Sequence, residues 1–354
     1  MKPILGAILS VSSTVLNDEE KRLLELYNPL GVALFSRNLK TKSQIKALGK
    51  NIREVIGRDD VLIALDEEGG RVDRLKDIRK KELASQAMLG KINSKKITKA
   101  HALLIAEEMC SVGANLNFAP VLDLDYRGMT TALKSRTFSS GPKKTANLGR
   151  ILWQTYADAG ICPCIKHLPG HGRAQIDPHL YLPAIEEGWK GLQRDFEPFI
   201  LNKDCPVGMA AHILLKAVDD NLPITFSKKG VEEVIRRRIG FGGFLISDAL
   251  EMKALKGDIG EKTQNAFEAG LDAVCYCMGD IKGLREVCKN AKFLSEKSFL
   301  RFEAVRQVLK THKAHINNVD LLKEKYYSAT SPYAEEEINY DATEVLLKLK
   351  QGEK

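Results

Sequence analysis

The chain has 354 residues, of which 44% are hydrophobic and 28% charged, proportions that are typical of a globular protein and exclude disordered and fibrous classes. No segment approaches the about 20 consecutive apolar residues of a membrane span, so no membrane partner is expected. The formal net charge of +8 comes from scattered lysines and arginines without interleaved aromatic residues, a pattern that predicts a solvated surface and no nucleic-acid partner.

The first apolar run, residues 3–11, is short and lacks a small-x-small cleavage site, so it predicts a β-strand and not a signal peptide. The seven cysteines are odd in number and lie mostly in apolar runs, which favours buried reduced thiols over a disulfide framework. The spacing of Cys162 and Cys164 does not fit a zinc ribbon. We therefore expect a cytoplasmic protein.

Short apolar, β-branched runs alternate along the chain with longer amphipathic segments. They predict eight strands, near residues 4–11, 30–36, 61–66, 114–122, 161–166, 207–213, 243–248 and 272–278. Helical patterns between them include residues 42–56, 98–112, 144–159, 228–239 and 260–269. Eightfold alternation of strand and helix predicts a single-domain α/β protein, a parallel (β/α)8 TIM-type barrel, with a doubly wound sheet as the alternative.

The predicted barrel domain spans residues 1–312. A C-terminal helical extension, residues 313–354, is expected to pack on the barrel or to form a dimer contact, and the sequence leaves monomer and homodimer equally open.

Polar residues follow five of the predicted strands. They are Asp66 after the third strand, Asp123 after the fourth, Lys166 and His167 after the fifth, His212 after the sixth and Asp248 after the seventh. Active sites of this fold lie at the C-terminal ends of the strands, so these positions predict one shared pocket.

Three of the seven histidines fall within residues 167–179, in the segment 166–172 (KHLPGHG) and the following 177–179 (DPH). The prolines and glycines of these segments preclude a regular helix. A strand that ends in a lysine and a histidine and runs into a loop with an Asp-x-His pair is typical of a catalytic loop.

Sugar chemistry suits this set of side chains. A glycosidase needs carboxylates for vicinal hydroxyls, a carboxylate beneath the anomeric carbon, and a group that protonates the departing oxygen. Asp248, fixed at a strand end, is the candidate nucleophile. His179 is the candidate acid and base because an imidazole titrates near neutrality, and Asp177 would orient that imidazole.

Seven elements occur in an order that resembles a known family: 66–75 (DEEGGRVDRL), 117–123 (NFAPVLD), 135–138 (SRTF), 166–172, 177–179, 209–213 (MAAHI) and 247–252 (SDALEM). The chain is similar to the single-domain β-N-acetylglucosaminidases of glycoside hydrolase family 3, of the NagZ type.

The resemblance implies a retaining hydrolysis with Asp248 as nucleophile and His179, paired with Asp177, as acid and base. It implies N-acetylglucosamine as the sugar, released from muropeptides with anhydromuramic acid in cytoplasmic cell-wall recycling, with no metal or organic cofactor. It places six further residues at the sugar: Asp66, Arg74, Arg136, Lys166, His167 and His212.

Two positions depart from the family pattern. Pro178 stands where the family usually has serine, which would stiffen the catalytic loop or remove a backbone donor. Glu67 stands where glutamine is common, which adds one carboxylate and leaves Asp66 in place.

Two other functions remain open from the residues alone. One is a metal-dependent barrel hydrolase that uses His167, His171, His179 and Asp248 as ligands, although Lys166 would place a cation beside the metal. The other is an amino-sugar-binding protein that has lost turnover, although the complete set of candidate catalytic residues disfavours it.

Overall fold

A computed structural model describes residues 2–311 and 318–333. Eight parallel strands pair in chain order and close into a barrel. The barrel strands are β1 (Leu5–Leu9), β2 (Pro29–Ala33), β3 (Leu62–Leu65), β4 (Leu116–Asn117), β5 (Cys162–Leu168), β6 (Val207–Ala210), β7 (Phe244–Ala249) and β8 (Ala273–Cys275). Pairing of β1 with β8, with Ala7 opposite Val274, completes the circle. The predicted TIM-type barrel is confirmed, and the doubly wound alternative is wrong because that sheet is open at both edges.

The fourth strand is shorter than the predicted segment 114–122. The regular strand ends at Asn117, and Pro120 has no N–H to donate to a ladder further on. The chain still runs alongside β5, because the Leu122 N–H donates to the Lys166 carbonyl at 2.7 Å and the Lys166 N–H donates to the Pro120 carbonyl at 3.1 Å. This pairing brings the segment up to Asp123 beside the end of β5.

Helices surround the barrel, and each predicted helical segment overlaps one of them. The helices are Asp18–Tyr27, Lys42–Ile56, Lys76–Arg79, Gln86–Ile92, Lys95–Val112, Pro142–Asp158, Trp189–Ile200, Gly230–Arg238, Ile259–Ala269, Ile281–Asn290, Glu296–Lys310 and Val319–Thr330. Local chemistry fixes their ends. At Lys42–Ile56, the Thr41 hydroxyl accepts the Gln44 N–H, and Gly57 ends the helix in the left-handed conformation. Within the described residues, no helix is both long and apolar enough to cross a bilayer.

Two apolar layers hold the barrel together. Outward-facing strand residues pack under the helices, and a separate cluster, which includes Ile8, Leu116 and Ile246, fills the barrel interior. Helix Glu296–Lys310 contributes Phe302 to that interior cluster, where its ring lies 5.7 Å from the ring of Phe244. The N-terminal end of the barrel is thus packed with side chains.

The described part of the C-terminal segment is helix Val319–Thr330, which packs on helix Lys95–Val112 and buries Tyr326. Residues 313–317 and 334–354 of the predicted extension lie outside the described residues. The division of the chain near residue 312 therefore stays a prediction.

Candidate active site

A cleft of about 1050 Å³, including its open mouth, lies at the C-terminal ends of the barrel strands. Seven of the nine predicted site residues line it: Asp66, Arg74, Arg136, Lys166, His167, His179 and Asp248. Asp177 and His212 are not among the lining residues and lie next to them. Side chains from strand ends and loops that are far apart in sequence therefore face a single cavity, as expected for this fold.

A cluster of alternating charges forms one wall of the cleft. Lys166 Nζ lies 3.0 Å from Asp66 Oδ1 and 2.7 Å from Glu68 Oε1. Arg136 donates from Nε and Nη2 to the two oxygens of Glu68, each at 2.8 Å. Burial lowers the pKa of Lys166, but the carboxylates of Glu68 and Asp66 outweigh this and raise it, so the ammonium remains charged.

Glu68 is the central anion of this cluster. Its side chain is only 1% exposed, and burial on its own would raise its pKa. The two neighbouring cations, Arg136 and Lys166, reverse that effect and hold the pKa of Glu68 well below its usual value. Arg136 therefore pairs with Glu68, and Asp66 keeps an 18% exposed side chain toward the cleft.

Arg74 lies on the other side of Asp66. Its Nη2 is 3.7 Å from Asp66 Oδ2, and its guanidinium stacks over the ring of Phe35 at 5.5 Å. Asp66 is thus flanked by Lys166 at one oxygen and Arg74 at the other. A carboxylate held in this way is fixed in orientation and can accept hydrogen bonds from ligand hydroxyls.

Asp123 organises the loop after β5. Its Oδ2 is 2.6 Å from Nδ1 of His167, and its Oδ1 accepts the backbone N–H of His171 at 2.6 Å. Because Nδ1 of His167 donates to a carboxylate, Nε2 is the ring nitrogen left for a ligand. Asp123 is fully buried; burial raises its pKa, but His167 and His171 bring it below the usual value.

His171 lines the cleft and has no hydrogen-bond partner at either ring nitrogen among the residues that the structure describes. Its imidazole lies 5.8 Å from that of His167. Burial lowers the pKa of His171 to about 4, so the ring is neutral at pH 7 and presents one donor and one acceptor.

Asp177 and His179 form a dyad in the loop that follows β5. Nδ1 of His179 is 2.6 Å from Asp177 Oδ1, which also accepts the His179 backbone N–H at 2.9 Å. Pro178 between them faces the cleft, and its carbonyl accepts the N–H of Ala254 at 3.0 Å. The proline therefore leaves the dyad intact and ties this loop to the one after β7.

Asp248 is near the end of β7, where its Oδ1 accepts the N–H of Ala249 at 2.7 Å. Burial raises the pKa of Asp248, but the imidazoles of His167 and His212, together with this N–H, lower it to about 2. The side chain is therefore a carboxylate at neutral pH, the form that a nucleophile requires.

His212 contacts the protein and not the cleft. Its Nδ1 lies 2.6 Å from the Thr225 hydroxyl, and its Nε2 donates to the Ala249 carbonyl at 3.0 Å. The imidazole thereby holds the backbone next to Asp248. Any effect of His212 on a ligand passes through that backbone and through the electrostatic effect of the ring on Asp248.

Three polar residues of this site were not predicted to contact the sugar. Glu68, His171 and Glu251 all lie within quoted motifs, and His171 was named only as a ligand in the metal-dependent alternative. Glu251 also lines the cleft; both its oxygens face the N–H of Cys277, at 3.1 and 3.2 Å, and burial raises its pKa to about 7. Glu67, by contrast, points away from the cleft and lies beside Asp73.

The metal-dependent alternative requires several of these side chains to converge on one point. Across residues 2–311 and 318–333, no group of three His, Cys, Asp or Glu side chains has a geometry that could hold a metal ion. His167 and His179 each direct Nδ1 to a carboxylate partner.

Comparison with known proteins identifies the family. Residues 5–310 match the glycosyl hydrolase family 3 N-terminal domain. The chain is 37% identical over 287 residues to a β-hexosaminidase of Hydrogenovibrio crunogenus, covering 77% of this chain and 79% of the relative. A β-hexosaminidase of Bordetella pertussis is 36% identical over 296 residues, covering 79% and 83%.

A solved structure agrees in fold over nearly the whole length. Native NagZ from Neisseria gonorrhoeae superposes with a TM-score of 0.81 at 29% identity, covering 93% of this chain and 99% of that one. A structure of the same protein in complex with N-trifluoroacetyl-D-glucosamine gives 0.80 at 28% identity, covering 93% and 98%. The chain belongs to glycoside hydrolase family 3 and is a β-hexosaminidase of that family.

Proposed function

We propose that the protein is a retaining β-N-acetylglucosaminidase in which Asp248 is the nucleophile and His179, supported by Asp177, is the acid and base. The observation that carries the proposal is that Asp248, at the end of β7, and His179, in the loop after β5, line the same cleft. The low pKa of Asp248 and the hydrogen bond that Nδ1 of His179 donates to Asp177 suit these two roles.

The reaction proceeds in two steps. In the first, a carboxylate oxygen of Asp248 attacks the anomeric carbon, the glycosidic C–O bond breaks, and His179 gives a proton to the departing oxygen. In the second, His179 takes a proton from water, the water oxygen attacks the anomeric carbon, and Asp248 leaves as a carboxylate. Asp177 stabilises the imidazolium that is present before the first proton transfer and forms again in the second.

The charged wall of the cleft holds the sugar in this scheme. Asp66 accepts hydrogen bonds from hydroxyls, Arg74, Arg136 and Lys166 donate to sugar oxygens, and His167 presents its Nε2 to the sugar. His212 does not contact the sugar in this scheme; it acts indirectly, by holding the backbone beside Asp248. The complex of the Neisseria gonorrhoeae relative with N-trifluoroacetyl-D-glucosamine supports an N-acylated glucosamine as the sugar bound here.

The natural substrates in this proposal are muropeptides in which N-acetylglucosamine is linked to anhydromuramic acid, hydrolysed in the cytoplasm during cell-wall recycling. The similarity to NagZ over almost the full chain supports this substrate class. The seven cysteines, all of them free thiols, are compatible with a reducing compartment. Neither a metal nor an organic cofactor has a part in the reaction.

The test compares three substrates on the wild type and on Asp248→Ala. A chromogenic N-acetylglucosaminide and the N-acetylglucosaminyl-anhydromuramic disaccharide should both be hydrolysed with retention of configuration, and the corresponding glucoside should not. Asp248→Ala should fold normally and hydrolyse none of them. Sugar binding without turnover by the wild type would instead identify a binding protein, and activity of Asp248→Ala close to the wild type would remove Asp248 from the mechanism.

A further inference from the structure

The hydroxyl of Tyr326 connects the C-terminal helix to the loop that carries the charged wall of the cleft. Tyr326 is 1% exposed and lies 242 residues after Ala84 in the chain. Its oxygen is 2.8 Å from the backbone N–H of Ala84 and 2.8 Å from Nδ1 of His101. Nε2 of His101 is 3.3 Å from the backbone carbonyl of Glu68.

Elementary donor and acceptor rules give every proton in this chain of bonds one position. The Ala84 N–H can only donate, so the Tyr326 oxygen accepts it. The Glu68 carbonyl can only accept, so Nε2 of His101 carries the ring hydrogen. Nδ1 is then a lone pair that accepts the Tyr326 O–H. Burial lowers the pKa of His101 to about 3, in agreement with a neutral ring.

The segment that follows Glu68 is packed against the same partners. A Cβ on Gly69 would come within 2.3 Å of the Ala84 carbonyl oxygen and 2.7 Å of His101 Cε1. The N–H of Gly70 donates to the Leu83 carbonyl at 2.8 Å. With no space between these backbones, a shift of Ala84 or His101 shifts the segment 68–70 as well.

We infer that Tyr326 is a positioning residue for the binding of substrate. Acting through His101 and Ala84, it fixes the backbone of Glu68, whose side chain holds Lys166 and Arg136 in the cleft wall. The inference rests on the proposed sugar-binding role of that wall. By this inference, helix Val319–Thr330 contributes to the binding of substrate although it does not line the cleft.

Loss of the hydroxyl would leave two buried polar groups, the Ala84 N–H and Nδ1 of His101, without their present partner. The structure can relieve this only by moving the loop or by admitting water. Either change displaces Glu68 and the cations it orients. Because the displaced groups would bind the sugar less well, we expect Tyr326→Phe to raise KM about tenfold, the change that corresponds to a loss of about 1.4 kcal/mol of binding free energy.

The test measures KM and kcat with the chromogenic N-acetylglucosaminide, and Kd for free N-acetylglucosamine by calorimetry, in full-length protein well below the unfolding temperature. Tyr276→Phe is the matched control, because it also removes a buried tyrosine hydroxyl, one that donates to Asp280 at 2.6 Å and not to a residue of the charged wall. Both variants should lose thermal stability. Tyr326→Phe alone should raise KM and Kd, each about tenfold, with a smaller change in kcat.

A second variant, His101→Phe, breaks the same chain of bonds at its middle. If both residues act through Glu68, the double variant Tyr326→Phe/His101→Phe should have a Kd close to that of the more affected single variant, and not the product of the two effects. Values of KM and Kd for Tyr326→Phe within twofold of the wild type, or an equal rise in Tyr276→Phe, would overturn the inference. Absence of turnover in the wild type would instead refute the proposed hydrolysis, and the Kd series would still test the positioning role.

Discussion

Replacement of His179 by alanine should affect substrates according to their leaving groups. His179 is positioned by Asp177 at 2.6 Å and shares a cleft with Asp248, so its proposed task is to protonate the departing oxygen. A positioned general acid contributes about 10²- to 10⁴-fold to rate. At about 1.4 kcal/mol for each tenfold step, His179→Ala should raise the barrier for a natural disaccharide by about 2.8–5.6 kcal/mol.

A nitrophenyl glycoside has a leaving group that departs as an anion near neutral pH and needs no proton. Its kcat/KM reports only the steps up to the departure of the nitrophenolate, so it should fall less than about tenfold in His179→Ala. Hydrolysis of the glycosyl-enzyme still lacks its base in this variant, so the glycosyl-enzyme should accumulate. The assay should then show an initial burst of nitrophenolate and a lowered KM. Azide, a nucleophile that needs no base, should restore turnover.

The assay is steady-state and burst-phase kinetics of the wild type and His179→Ala with both substrates, with and without azide. Asp248→Ala is the control, because it should lose both substrates equally, and any glycosyl azide it forms should have the inverted configuration, whereas the azide product of His179→Ala should have the retained one. Equal losses of kcat/KM for the nitrophenyl glycoside and the disaccharide in His179→Ala would refute the acid role.

Three further outcomes are expected. Burial and the neighbouring Asp73 raise the pKa of Glu67, so folding favours its protonated form, and the stability that this form provides is lost as pH rises through the raised pKa. Glu67→Gln should therefore be at least as stable as the wild type in urea unfolding at pH 8. The difference in stability should be smaller near pH 4, and KM should be unchanged. A variant less stable at pH 8 would contradict this. Glu68→Gln removes the anion between Lys166 and Arg136, so it should lower the free energy of unfolding by about 3 kcal/mol and raise KM. An unchanged free energy of unfolding and an unchanged KM would show that other groups compensate the charges of Lys166 and Arg136. Incubation with EDTA should leave the activity unchanged, whereas a loss that zinc restores would favour the metal-dependent alternative.

The repeating pattern of the sequence was sufficient to predict the fold. Parallel barrel strands are buried on both faces, so they read as short apolar runs, and eight such runs between amphipathic helices leave few other architectures. The same logic located the cleft, since the polar residues after the third, fifth and seventh strands must meet at one end of the barrel. Strand lengths were less predictable, because the regular strand ends at Asn117 although the chain continues alongside β5 to the bridge between Val121 and Lys166.

The sequence did not reveal which of two adjacent glutamates faces the cleft wall. Glu67 and Glu68 are chemically identical, and only the local backbone turns Glu68 toward Lys166 and Glu67 toward Asp73. The link from Tyr326 to this loop was equally hidden, because it joins positions far apart in sequence. Contacts of this kind depend on how helices pack over the barrel, which periodicity does not encode.

The most direct test of the proposed mechanism is mass spectrometry of the enzyme after reaction with an N-acetylglucosaminyl fluoride that carries a second fluorine at C5. The C5 fluorine slows both steps and the fluoride leaving group speeds the first, so a covalent glycosyl-enzyme should accumulate. After proteolysis, the added sugar mass should lie on the peptide that contains Asp248 and be absent from Asp248→Ala. An adduct on a different carboxylate, or turnover with no enzyme-bound sugar, would contradict Asp248 as the nucleophile.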